Sequence, residues 1–142
     1  MKKRITIGLF NDAFYPAVDG VVSVVDNYAR LLSKKANVIV FVPDYKKEYD
    51  DSIYPYKVVR VKSIKIPTVE YTFALPKIDV QFYRELSMYN LDIIHVHSPF
   101  SLGMTAIRYA KKIIYQWLQL CIVSTKGIYL ILHIQRLLLK WF

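Results

Sequence analysis

The spacing of apolar residues changes along the chain, and each change marks an element. Ile5 to Phe10 is a short apolar run rich in β-branched residues, bounded by a charged start and by Asn11-Asp12, and predicts a strand. From Gly20 the apolar positions become Val21, Val24, Val25, Tyr28 and Leu32. Steps of three and four predict an amphipathic helix with those residues inward, ending near Lys34-Lys35, where cations suit the negative end of its dipole. Val38 to Val42, stopped by Pro43, is a second strand, so the unit implies a parallel pair with a right-handed crossover. Tyr56 to Val61 gives a third strand. Residues 63–78 carry Pro67 and Pro76 without a clear period and read as a long surface loop. Asp79 caps a helix to about Tyr89, with Val80, Tyr83 and Leu86 on its inner face. Asp92 to Val96 is a fourth strand, and Ser101 caps a helix with Leu102, Ala106, Tyr109 and Ala110 inward. The pattern is an open α/β parallel sheet with helices on both faces, half of a nucleotide-binding type of architecture.

Composition narrows the function classes. The 142 residues make one domain, and 54% apolar content is ample for a core. A single cysteine, Cys121, excludes an intramolecular disulfide and a clustered-thiol metal site. The net charge of +9 points to polyanion partners: phosphate groups, nucleic acid or an anionic membrane surface. Nucleic acid is not expected, because the Tyr and Lys residues across 45–77 show no aromatic–basic pattern specific to it. Met1-Lys2-Lys3-Arg4 is basic, but Asn11 and Asp12 cut the following apolar run far short of a signal-peptide core. The expected location is cytoplasmic, peripheral on the membrane face. All 11 acidic residues lie before position 113, whereas residues 113–142 carry only Lys126, Arg136 and Lys140 and are apolar at 20 of 30 positions.

Ligands of such sheets bind beyond the carboxyl ends of the strands, where two loops stand. The first, Asn11 to Gly20, lacks both the three-glycine dinucleotide fingerprint and the Lys-Ser/Thr of a P-loop. Gly20 at a helix start either ends a turn or lets a phosphate reach free backbone N–H groups; spacing alone favours the turn. The second loop follows His95-Val96-His97-Ser98, whose alternation puts both histidines on one face. Without a third ligand they make a weak metal signal; a core histidine, or a hydrogen bond from His97 to a sugar hydroxyl, outranks metal. No metal or cofactor is expected. Asp12, Asp19 and Asp92 are candidate acids, although capping is the commoner work of loop aspartates.

The two loops carry a resemblance. Ile7 to Pro16 followed by Asp19-Gly20-Val21-Val22 resembles the start of the family-four retaining glycosyltransferases, and Asp92 to Gly103 resembles the motif that ends their fourth strand. The flavour is that of the bacterial branch that glucosylates diacylglycerol, and the likeness covers roughly residues 4–112. It implies the N-terminal, acceptor-side Rossmann-like half of a GT-B fold. The implied reaction transfers a hexose from a nucleotide sugar to a lipid or glycan acceptor with retention. It places Asp19 and Gly20 in the donor-phosphate loop, where the family often has two glycines, and His97 and Ser98 on the acceptor side of the cleft. The C-terminal domain with its paired glutamates has no counterpart here.

After Lys112 the likeness stops. The family continues with a strand and a histidine near the reacting sugar. Permissible codons for Ile113 to Gly127, read one base earlier, spell Asn-Asn-Ile-Pro-Met-Val-Ala-Thr-Val-His-Ser-Lys-Tyr-Lys-Gly, which is that motif. The expectation is therefore residues 1–112 as an incomplete family-four-like domain and 113–142 as an apolar basic tail out of frame, with the family histidine lost and no catalytic residue left. The competing reading makes the tail a membrane element, with His133, Arg136 and Lys140 as the polar stripe of an interfacial helix and the whole chain a non-catalytic basic module on anionic membrane. A flavodoxin-like binding domain is a third reading, disfavoured by the absent phosphate loop.

Overall fold

The computed structural model describes residues 4–47, 49–67 and 71–113, and the backbone of two further strands, Leu118–Thr125 and Gly127–Ile134. In chain order the elements are β1 (Thr6–Phe10), α1 (Gly20–Ser33), β2 (Asn37–Pro43), β3 (Lys57–Val61), β4 (Ser63–Lys65), β5 (Thr72–Ala74), α2 (Val80–Met88), β6 (Ile93–Val96), α3 (Ser101–Ile113), β7 (Leu118–Thr125) and β8 (Gly127–Ile134). The main sheet has the order β3-β2-β1-β6-β8-β7; its first four strands are parallel, and β8 joins β6 antiparallel.

Side-chain alternation divides the core in two. Ile7, Leu9, Val38, Val40 and Val42 pack with Val22, Val25 and Ala29 of α1. Phe10, Ile39 and Phe41 point the other way, onto Phe82 and Leu86 of α2 and Leu102 and Ala106 of α3. Because β1 and β2 are covered on both faces, they must be apolar at every position rather than at every second one, as the continuous runs in the sequence require. Phe10 and Phe41, register partners on adjacent strands, stack at 4.4 Å. This is the Rossmann-like half-fold expected from the sequence.

Three expectations need correction. First, α1 buries Val22, Val25 and Ala29, whereas Tyr28 is 49% exposed and Val21 and Val24 only partly buried. The pairs Val21-Val22 and Val24-Val25 leave the phase of the helix ambiguous, and the small Ala29, fitting close against the sheet, decides it. Likewise α2 buries Phe82 and Leu86, one turn apart, while Val80 and Tyr83 face out. Second, residues 63–78 are not all loop: β4 and β5 pair antiparallel, three residues each, and a one-turn 3-10 helix follows at Pro76–Ile78. Strands so short leave too few residues for a period to show. Third, residues 127–134 are extended, so His133 lies in β8 and not on a helix; Arg136 and Lys140 lie outside the described residues.

Val25 is fully buried between α1 and the sheet. Val25→Asp strands a charge there, and chemical denaturation should register a loss of about 3 kcal/mol or more. A parent-like midpoint would overturn the helix orientation.

Candidate functional site

The sheet order reverses between β1 and β6. The chain leaving β1 enters α1 on one face, and the chain leaving β6 enters α3 on the other, so a crevice opens between the two carboxyl ends. Both loops read from the sequence meet there.

One carboxylate holds them together. Ser98 Oγ accepts the Asp12 N–H at 2.8 Å and donates to Asp12 Oδ2 at 2.9 Å. The N–H of Leu102 donates to Asp12 Oδ1 at 2.8 Å, and the Gly103 N–H to Oδ2 at 3.3 Å. Ser101 Oγ, 3.1 Å from Oδ1, shares its one proton between that oxygen and the nearer Ala74 carbonyl at 2.8 Å. Asp12, not Ser101, thus caps α3, from ninety positions earlier in sequence. The loop can come this close because Gly103 has no side chain: a Cβ there would sit 1.9 Å from the Ser98 carbonyl oxygen. The other two candidate acids are also backbone acceptors. Asp92 Oδ2 takes the Thr6 N–H at 2.8 Å, and Asp19 Oδ1 takes the Val22 N–H at 2.7 Å as the cap of α1.

The β1–α1 loop is pinned from its other side at Tyr15. Its carbonyl accepts from the Arg60 guanidinium at 3.3 Å, and Arg60 is held by a two-point pair with Asp51 at 2.9 and 2.8 Å. Asp26 collects the Tyr56 hydroxyl at 2.6 Å and the Arg30 guanidinium at 2.8 Å. Burial first, and then this carboxylate, drive the Tyr56 phenol far above its ordinary pKa, so it stays a donor.

Above the crevice lies a pocket of about 420 Å³. Asn11, Asp12, Asp19 and Ser98 give it polar lining; Val21, Ile66, Tyr71, Phe73 and Phe100 give it apolar walls. The Tyr71 hydroxyl donates to Asp19 Oδ2 at 3.1 Å, joining the start of α1 to the β4–β5 hairpin. Space beside Gly20 is open: a Cβ there would meet nothing within 4 Å. A wider groove of about 790 Å³ lies at the opposite, amino-terminal end of the strands, among Arg4, Asn37, Tyr54 and Tyr89, away from both loops.

The four residues singled out by resemblance separate in space. Asp19, at the head of the Gly20 turn, and Ser98 line the pocket. His97 is 4% exposed, points to the α1 side, stacks on His95 at 4.0 Å and meets the edge of Tyr28 at 5.9 Å. Burial, with a smaller push from His95, lowers the His97 pKa to about 3. It is a neutral imidazole inside the fold. Among the described residues no group of three or more His, Cys, Asp or Glu side chains could hold a metal ion. Sequence reasoning missed the hairpin wall. The available signal was an inverted alternation, with small Ser63, Thr72 and Ala74 inward and large Ile64, Tyr71 and Phe73 outward.

The family model for Glycosyltransferase Family 4 matches residues 18–125, a span that runs past Lys112. The alpha-monoglucosyldiacylglycerol synthase of Acholeplasma laidlawii is 32% identical over 112 residues, covering 75% of this chain and 27% of that protein. The enzyme of the same name from Streptococcus pneumoniae (strain ATCC BAA-255 / R6) is 30% identical over 118 residues, covering 75% and 24%. The chain spans about a quarter of the length of these relatives. No solved structure matches it significantly.

Two measurements follow from this geometry. Asp12→Ala leaves the first turn of α3 uncapped and the Ser98 hydroxyl without its acceptor; equilibrium denaturation should show a loss of at least about 2 kcal/mol, with Asp12→Asn intermediate. His97, whose folded pKa lies below its unfolded value, contributes stability that is complete above about pH 6.5 and falls as pH drops toward 3. Its share of the slope approaches about 1.4 kcal/mol per pH unit. Melting curves of His97→Phe should be flatter than the parent's between pH 6.5 and 4.5; equal slopes would count against this account.

Proposed function

The chain belongs to glycosyltransferase family 4, and from that premise we propose that it is the acceptor-side part of a retaining hexosyltransferase acting from a nucleotide sugar on a lipid hydroxyl. The observation that carries the reading is the crevice at the sheet reversal, where a loop with an open glycine and a loop with a rigidly held serine face one pocket. The names of the two similar synthases supply the acceptor: diacylglycerol-based lipid.

Retaining transfer needs a leaving phosphate stabilised by donors and an acceptor hydroxyl held beside the anomeric carbon. For the phosphate, the α1 N-terminus offers the N–H groups of Gly20 and Val21, since Asp19 already takes those of Val22 and Ser23 through its side chain and carbonyl. The packing leaves Gly20 room for a side chain, so the free space beside it suits a ligand. The Asp19 carboxylate works against a phosphate there, and positive charge has to come from the rest of the enzyme. This chain by itself therefore binds nucleotide sugars weakly, in the millimolar range or below detection. The acceptor side falls to Ser98 and the pocket. We place His97 behind it, steadying the strand end and touching neither substrate.

The test compares the 142-residue chain with a version in which one base is restored in the Lys111–Lys112 codons, a frame that permissible codons for the tail residues allow. Radiolabelled hexose transfer to dioleoylglycerol is expected from the restored protein and not from the chain. Gly20→Ala in the restored protein should raise KM for the nucleotide sugar several-fold with an unchanged melting temperature. Transfer by the 142-residue chain, or none by the restored one with any common nucleotide hexose, refutes the reading.

One observation favours a second reading, docking on anionic membrane. A groove of about 750 Å³ between α2 and α3 is lined by Lys77, Arg108 and Lys112 and by no carboxylate. Exposed Ile78, Val80 and Met88 lie on the same segment of chain. Among the described residues no helix is long and apolar enough to cross a membrane, so such contact would be with the surface. Co-sedimentation with phosphatidylglycerol vesicles, lost in a Lys77→Glu/Arg108→Glu variant, would support it.

A further inference from the structure

The β4–β5 hairpin is built inside out for a small soluble element. Ser63, Thr72 and Ala74 are buried, whereas Ile64 and Phe73, directly opposite each other in register, are 51% and 46% exposed. Phe100, from the loop after β6, is 65% exposed and joins Phe73 in the wall of the same pocket. Apolar groups gathered at the mouth of a concave site mark a surface that something apolar covers. The opening is a pocket of about 420 Å³, too small for a helix and suited to a narrow flexible chain.

The other end of the pocket is polar and carries no basic side chain. Asn11 is 1% exposed; its Nδ2 donates to the Ala13 carbonyl at 2.7 Å, and its Oδ1 is buried with no hydrogen-bond partner among the described residues. A buried acceptor left open is uncommon enough to ask what fills it. Beside it are the carboxylates of Asp12 and Asp19. Asp12 already holds the α3 N–H groups and Ser98, so the acceptor left open is Asn11 Oδ1; the two carboxylates give the lining negative charge, and none of its residues is a lysine or arginine. It suits a head group bearing hydroxyl donors and opposes a phosphate or carboxylate.

We infer that this pocket binds a neutral hydroxyl-headed lipid, with the head on the Asn11–Asp12 floor and one alkyl chain along the wall formed by Ile66, Phe73 and Phe100. The inference rests on the lipid-acceptor reading above and adds to it the residues that select the acceptor. Specificity then has two separable parts: chain length is read by the hairpin and Phe100, and head-group charge by the floor.

The experiment titrates the 142-residue chain calorimetrically with 1-O-hexyl-, octyl- and decylglycerol below their micellar concentrations. Affinity should rise about three- to fourfold per added methylene while the chain still gains buried surface. An alkyl phosphate of equal length should bind about tenfold more weakly. Phe73→Ser and Phe100→Ser, both at exposed positions, should keep the parent's circular dichroism and melting temperature and flatten the dependence on chain length. Affinity independent of chain length, an unchanged dependence in both variants, or tighter binding of the alkyl phosphate would overturn the inference. Failure here is distinct from failure of the proposed activity. Chain-length selection without hexose transfer by the frame-restored protein removes the activity and leaves the pocket; transfer without chain-length selection does the reverse.

Discussion

The Asp12 carboxylate is the constraint on which the rest of the site depends. It stands just past the end of β1 and takes two N-terminal N–H groups of α3 together with the Ser98 hydroxyl from the other loop. Helix starts need an acceptor, and most obtain it from the residue just before them. Here the acceptor comes from a different strand, so capping the helix and closing the crevice are one event. The shape of the crevice is then as rigid as the helix itself.

That coupling works because the sheet beneath it is fixed by simple alternation. Two core layers share β1 and β2, with Phe10, Ile39 and Phe41 on one side and Leu9, Val38, Val40 and Val42 on the other. At the end of β6, His95, whose register partner on β1 is the aliphatic Leu9, and His97, the residue just beyond the strand, both face Tyr28 of α1. The two imidazoles stack beneath Tyr28 and fill that volume, His97 as a neutral ring. Burial holds His97 in that state, which is why a histidine next to the site serves the packing.

The sequence was legible where period and chain punctuation agree. Four parallel strands and three helices can be read from runs of five or more residues and from aspartates before helices, and the resemblance at the two loops identified the family. Asp79 capping α2 is such a case. It was not legible where the deciding residue is small or distant. Ala29 sets the face of α1 although it contributes little to any apolar count. Asp12 displaces Ser101 as the cap of α3, and no local rule brings together residues ninety positions apart. The hairpin hid because its large residues point outward, the reverse of what a search for buried strands expects.

The two glycines in the first turns of α1 and α3 look alike on paper and are held in place by different forces. A side chain at 103 would collide with the Ser98 backbone, so the chain itself refuses every other residue each time it folds. A side chain at 20 would meet empty space, so nothing within the fold objects to one. Under relaxed selection the two positions should therefore part company: drift would be free to erase the second glycine while the first persisted for as long as the domain folds at all. The state of position 20 across a lineage would then record whether a ligand was still arriving there.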